Sequence, residues 1–159
     1  MDEKVGLLEK LLELMLEQER ALSELVSLAF SEQRAIIRSD FDAMNALSER
    51  MLGVVSQIDA LEEARTELTS RLGHFQALDE LVPLADSLGV NGISDAHERL
   101  LEQAAKLRTA QDDNARLILN AVKLRERWLG LLAGLSSPTY GAAGQQEVHQ
   151  SRGIVSRSA

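Results

Sequence analysis

Leucine and its aliphatic relatives recur at alternating four- and three-residue steps through three long stretches of this chain. That rhythm lines up one face of an α-helix, whereas a half-buried strand needs strict alternation. In the first stretch, residues 3–37, Leu7, Leu11, Leu14, Ala21, Leu25 and Leu28 share a seam, with Gln18 filling one slot. Leu8, Leu12, Met15, Leu22, Val26, Ala29 and Ile36 form a second stripe one residue further on. Two adjacent stripes are wider than a two-stranded coiled-coil seam, so this helix has to touch at least two neighbours. Glu9, Glu13, Glu17, Glu24 and Arg20 take the outer side and read as a solvated face.

The segment Arg38-Ser39-Asp40-Phe41-Asp42 reads as a helix restart, with Ser39 or Asp40 as the cap. A second helix then runs to Leu72 on the seam Met44, Leu47, Met51, Val54, Ile58, Leu61, Leu68 and Leu72, interrupted only by Arg65. Gly73 is a stop signal. Two helices of roughly 50 Å joined by so short a link make an antiparallel hairpin. Residues 73–94 are a connector: Leu78 to Ala85 can form a short helix, with Pro83 inside it, and Gly89, Asn91 and Gly92 are turn residues. Ser94 or Asp95 is expected to cap a third helix reaching Leu135. Its seam is Leu100, Gln103, Leu107, Ala110, Asn114, Leu117, Ala121, Leu124, Trp128, Leu131 and Leu135. The first half is poor, with Gln103, Ala110 and Asn114 at seam positions. The second half is rich, with Ile118, Val122, Leu129 and Leu132 beside the seam.

Composition agrees with helices: 45% of residues are hydrophobic but only 3% aromatic, and a chain short of aromatics and β-branched runs is a poor sheet former. The expected fold class is all-α, an antiparallel bundle of long helices in which a two-helix hairpin is joined by a third long helix. The bundle occupies residues 1–135. Residues 136–159, rich in Ser, Gly, Ala and Gln, are expected to form a flexible tail that cannot offset its ordering entropy alone. The tail carries a net +1 and residues 1–135 a net −9.

The sequence excludes most chemistry. Zero Cys removes disulfides, thiolate metal sites and a Cys nucleophile. His74, His97 and His149 are scattered, and His97 reads as a solvent-facing helix residue. Glu62 and Glu63 read as solvated carboxylates, and Gln18, Gln33 and Asn114 as polar contacts that set register. No catalytic residue, metal site or cofactor is expected. A net charge of −8 argues against nucleic acid. The charged opening Met1-Asp2-Glu3-Lys4 is unlike a signal peptide, and no stretch approaches a spanning helix, so cytoplasmic residence without membrane insertion is expected.

Two residues stand above this background. Trp128, the sole Trp, lies on the rich half of the third helix; it reads either as a core residue capping the bundle or as an exposed anchor for a partner helix. Tyr140, the sole Tyr, lies in Ser137-Pro138-Thr139-Tyr140-Gly141; it reads either as a chance exposed ring or as a short docking motif.

The layout resembles the FlgN-type flagellar export chaperones. The residues that carry the resemblance are the acidic first helix LLEKLLELMLEQERALSELV, the restart DFDAMNALSERM, the late stretch NARLILNAVKLRERWLGLL, and the closing TYGAAG followed by SRGIVSRSA. The resemblance implies ATP-independent chaperoning of hook-associated (hook–filament junction) proteins and their delivery to the flagellar type III secretion gate. Carried onto this chain, it puts cargo on residues 114–135, at Leu117, Ile118, Ala121, Leu124, Trp128, Leu131 and Leu132, and gate docking, on the gate's cytoplasmic domain, at Tyr140. A generic coiled-coil scaffold and a regulatory binding protein are the main alternatives that the residues alone leave open; a small helical enzyme is a distant third, with no acid, base, nucleophile or metal cluster to carry it.

Overall fold

A computed structural model describes residues 2–136. Among them are helices α1 (Asp2–Arg38), α2 (Phe41–Leu72), α3 (Val82–Ser87) and α4 (Ile93–Ser136), with one 3-10 turn, Leu78–Leu81, and no strand. The chain divides into two units, residues 1–117 and residues 118–159; α4 runs through the boundary. The tail from residue 137 onward lies outside the described residues.

In the first unit α1 is the central helix. Both of its apolar stripes are used: Leu7, Leu8, Leu11, Met15, Ala21, Leu25, Val26, Leu28, Ala29, Ala35 and Ile36 are buried. Ion pairs fix the directions of its neighbours. Glu3 pairs with Arg71 at 3.6 Å and Glu24 with Arg50 at 3.2 Å, so α2 descends as α1 rises. Glu19 pairs with Arg99 at 3.0 Å, and Asn114 donates to the Ala29 carbonyl at 2.9 Å, so α4 runs parallel to α1. These surface pairs report geometry more than energy, at about 0–1 kcal/mol each.

The hairpin turn takes two residues. The Ser39 and Asp40 amides donate to the Ile36 and Ala35 carbonyls at 3.0 and 2.9 Å, which closes α1 in a Schellman arrangement. That arrangement needs a left-handed residue, and Ser39 supplies it at φ 55°. Asp40 then starts α2: its carboxylate accepts from the Ala43 amide at 3.1 Å. One residue thus ends a helix and caps the next, which accounts for the sharp reversal. At the other end of α2, Gly73 sits at φ 151°, and a Cβ there would lie 2.9 Å from the Phe75 ring.

The core gathers at the connector end. Leu8, Leu11 and Met15 of α1, Leu81 of the 3-10 turn and Ile93 of α4 are almost fully enclosed, with Leu68, Leu72, Ala85, Val90 and Ala96 around them. Each such large side chain contributes about 1.5–3 kcal/mol of burial. A second cluster of Ala21, Leu25, Leu28 and Val54, flanked by Met51, Ile58 and Leu107, continues along the hairpin.

Three local expectations need correction. The short helix spanning Leu78 to Ala85 is a 3-10 turn followed by α3, which places Pro83 in the first turn of α3, where a missing amide costs nothing. The third long helix starts at Ile93, with the Ala96 amide bonded to the Gly92 carbonyl at 2.9 Å. Ser94 and Asp95 therefore lie inside its first turn, and Asp95 acts on the helix dipole rather than as a cap. His97 is half-buried rather than solvent-facing, and its Nδ1 is enclosed without a hydrogen-bond partner.

Candidate partner-binding surface

The seam of α4 is continuous in sequence but not in burial. Ala96 and Ala110 are buried, as is Asn114; Leu100, Gln103, Leu107 and Leu117 are half-buried. From Ile118 to Leu135 every side chain is exposed, seam positions included.

Asn114 locks the buried half. At 2% exposure, its amide donates to the Ala29 carbonyl at 2.9 Å and to Glu32 Oε1 at 2.8 Å. Gln18 plays the matching part between α1 and α2, donating to Glu62 Oε2 at 3.0 Å. Both bear out the reading of these residues as register contacts, although the Oδ1 of Asn114 and Oε1 of Gln18 are buried without a partner. Gln33 is half-buried. Glu62 is also held by Arg65, the residue that interrupts the α2 seam. The hydrogen bonds from that guanidinium draw the Glu62 carboxyl below its ordinary value; partial burial opposes the shift, and Gln18 adds to it.

The candidate residues separate at Leu117. Leu117 is half-buried in the first unit. Ile118, Ala121, Leu124, Trp128, Leu131 and Leu132 are exposed, Trp128 at 56%. Leu124, Trp128 and Leu131 come together with Arg127 around one shallow, mainly apolar hollow. Leu119, Val122, Leu129 and Leu135 are similarly exposed and were not among the sequence candidates, although three of them stand in or beside the seam. Tyr140 lies outside the described residues.

Nine of the fifteen exposed large hydrophobic side chains among the described residues fall within residues 118–135. The other six, Phe30, Ile37, Phe41, Leu52, Val55 and Leu101, are spread over three helices. Scattered apolar residues are ordinary on a protein surface, whereas a contiguous set marks an interaction site. Among the described residues no group of three or more His, Asp or Glu is placed to hold a metal ion, and no helix is long and apolar enough to cross a membrane.

No curated protein and no solved structure gives a significant match. The family described as FlgN protein matches residues 1–147, nearly the whole chain, so the hairpin, the connector and all of α4 lie within it. This chain belongs to the FlgN family, whose members are chaperones of flagellar assembly and export.

Proposed function

We propose that the chain is a cytoplasmic, ATP-independent chaperone that holds hook-associated proteins on the apolar face of residues 118–135 and delivers them to the flagellar type III secretion gate. The observation that carries this reading is the concentration of exposed Leu, Ile, Val and Trp side chains on that one stretch of α4. A helix face of this kind is satisfied by the apolar stripe of another amphipathic helix. Terminal helices of junction proteins, meant to assemble only outside the cell, would be such partners, and covering them prevents premature association. Leu124, Trp128 and Leu131 are the central anchors, Ile118, Ala121 and Leu132 extend the face, and Leu117 stands at its border. Tyr140 is assigned to the gate's cytoplasmic domain on the strength of the family resemblance.

Titration of a purified hook-associated protein tests the reading. Leu124→Asp and Leu131→Asp should each weaken binding at least tenfold while helicity by circular dichroism stays near wild type, because both side chains are exposed. Unfolding of the bundle by either change would make the face part of the core and end the proposal. In the same experiment Tyr140→Ala should leave cargo affinity unchanged and weaken binding to the gate domain; equal gate affinities would remove Tyr140 from the mechanism.

A further inference from the structure

One residue on the exposed face does not belong to an apolar surface. Arg125 lies inside it: its neighbours three and four residues away on the helix are Ala121, Val122, Trp128 and Leu129, all apolar. Arg125 is exposed and makes no ion pair among the described residues. Arg127 borders the hollow formed by Leu124, Trp128 and Leu131. An all-apolar partner would have to cover the Arg125 guanidinium without compensation, and a buried charge is tolerated only when paired.

The charges of the chain are also segregated. Residues 1–117 carry 12 Lys+Arg and 23 Asp+Glu, a net −11, whereas residues 118–136 carry Lys123, Arg125 and Arg127 against Glu126, a net +2. We infer that the face of residues 118–135 selects amphipathic helices carrying a carboxylate among their apolar positions, with Arg125 pairing that carboxylate as the helix docks. The inference rests on the proposed use of this face for exported proteins and adds the chemistry by which they are chosen.

Other occupants fit less well. A second copy of the same face brings three basic residues and one acid, Glu126, which stands about 100° around the helix from Arg125. The chain's own residues 137–159 offer one acid, Glu147, with Arg152 and Arg157. An anionic bilayer attracts basic amphipathic helices, but it repels the net −11 of residues 1–117. A planar guanidinium is well suited to a carboxylate, which it grips with two parallel hydrogen bonds.

The test uses the full chain and three labelled 18-residue designed helices with a Leu/Ala face. They differ only at one central position of that face, which is Glu, Gln or Lys. Wild type should bind the Glu helix at least tenfold more tightly than the Lys helix, with Gln between, and the gap should narrow as salt is raised. Arg125→Glu should reverse the order, Arg125→Gln should flatten it, and Leu124→Asp should weaken all three. An order unchanged by Arg125→Glu, or equal affinities in wild type, would overturn the inference. Failure of wild type to bind any of the helices would overturn it as well. The hook-associated-protein titration run alongside then tells whether the docking face itself has failed. Two further outcomes would overturn the choice of partner: a Trp128 emission shift on phosphatidylglycerol vesicles but not on the Glu helix, or a dimer of the chain that Leu124→Asp dissolves.

Discussion

The two halves of α4 reverse the usual relation between sequence and burial. Residues 93–117 have a poor seam, with Gln103, Ala110 and Asn114 where leucines would be expected, yet that seam is buried or half-buried. Residues 118–135 have Leu124, Trp128, Leu131 and Leu135 on the same seam, and all are exposed. The first case follows from α1, whose two stripes of Leu, Met and Ile already fill the space between the helices. Close packing then favours small residues opposite: Ala96 and Ala110 are 0% and 3% exposed. Asn114 fits because it is small and finds a backbone carbonyl and a carboxylate to bond. In the second half the large side chains of the seam are exposed instead. Seam content and burial thus part company within one continuous helix.

The sharpest way to break this comparison is a matched pair of truncations. Leu11→Ala removes a fully buried side chain of α1 and should cost about 2–5 kcal/mol. Leu124→Ala removes the same atoms from an exposed position and should stay within about 0.5 kcal/mol of wild type. Denaturant midpoints of the free protein measure both. Comparable losses would mean that residues 118–135 are part of the folding core, and the distinction between the halves would disappear.

Asn114→Ala sharpens the comparison from the buried side. The substitution deletes the bonds to Ala29 and Glu32 and leaves a gap beside α1. The expected loss is about 1–2 kcal/mol, reduced because the Asn114 Oδ1 is itself buried without a partner. Cargo affinity at matched folded concentration should not change, since Asn114 faces α1 and not the exposed surface. A loss of affinity without a loss of stability would place Asn114 on the binding face.

Much of this was legible in the sequence. The heptad seams gave the long helices and their hairpin, and Asp40 and Gly73 marked boundaries where the structure has them. Seam polarity also singled out Gln18 and Asn114 as contacts. The misses have local causes. Pro83 falls inside the expected helix rather than in its first turn because a 3-10 turn ahead of α3 leaves no periodicity to read. His97 departs from its expected exposure because sequence neighbours do not report how an atom is enclosed in the folded chain. The candidate surface was visible as surplus apolar content on one helix. Register tells which side of a helix wants a neighbour, but not whether the chain itself supplies one, so Leu117 and Leu124 looked alike in sequence and differ in the structure.

The smallest expected effect is a pH dependence confined to the α1–α2 joint. Glu62 binds its proton less tightly in the folded chain than the ordinary value of 4.5, chiefly through the hydrogen bonds from Arg65. Between the folded and ordinary values the unfolded chain holds more protons, so stability there rises with pH. The contribution is therefore fully present above about pH 4.5 and is lost as pH falls through the lower, folded value. Because the Glu62 side chain is half-exposed, the contribution should be under about 1 kcal/mol. Glu62→Gln should accordingly be slightly less stable than wild type near neutral pH, and the difference should shrink as the buffer is acidified below the carboxylate range. Urea midpoints of the two proteins at a series of pH values give the result. A difference that stays constant with pH would mean that Glu62 acts through packing with Gln18 rather than through its charge.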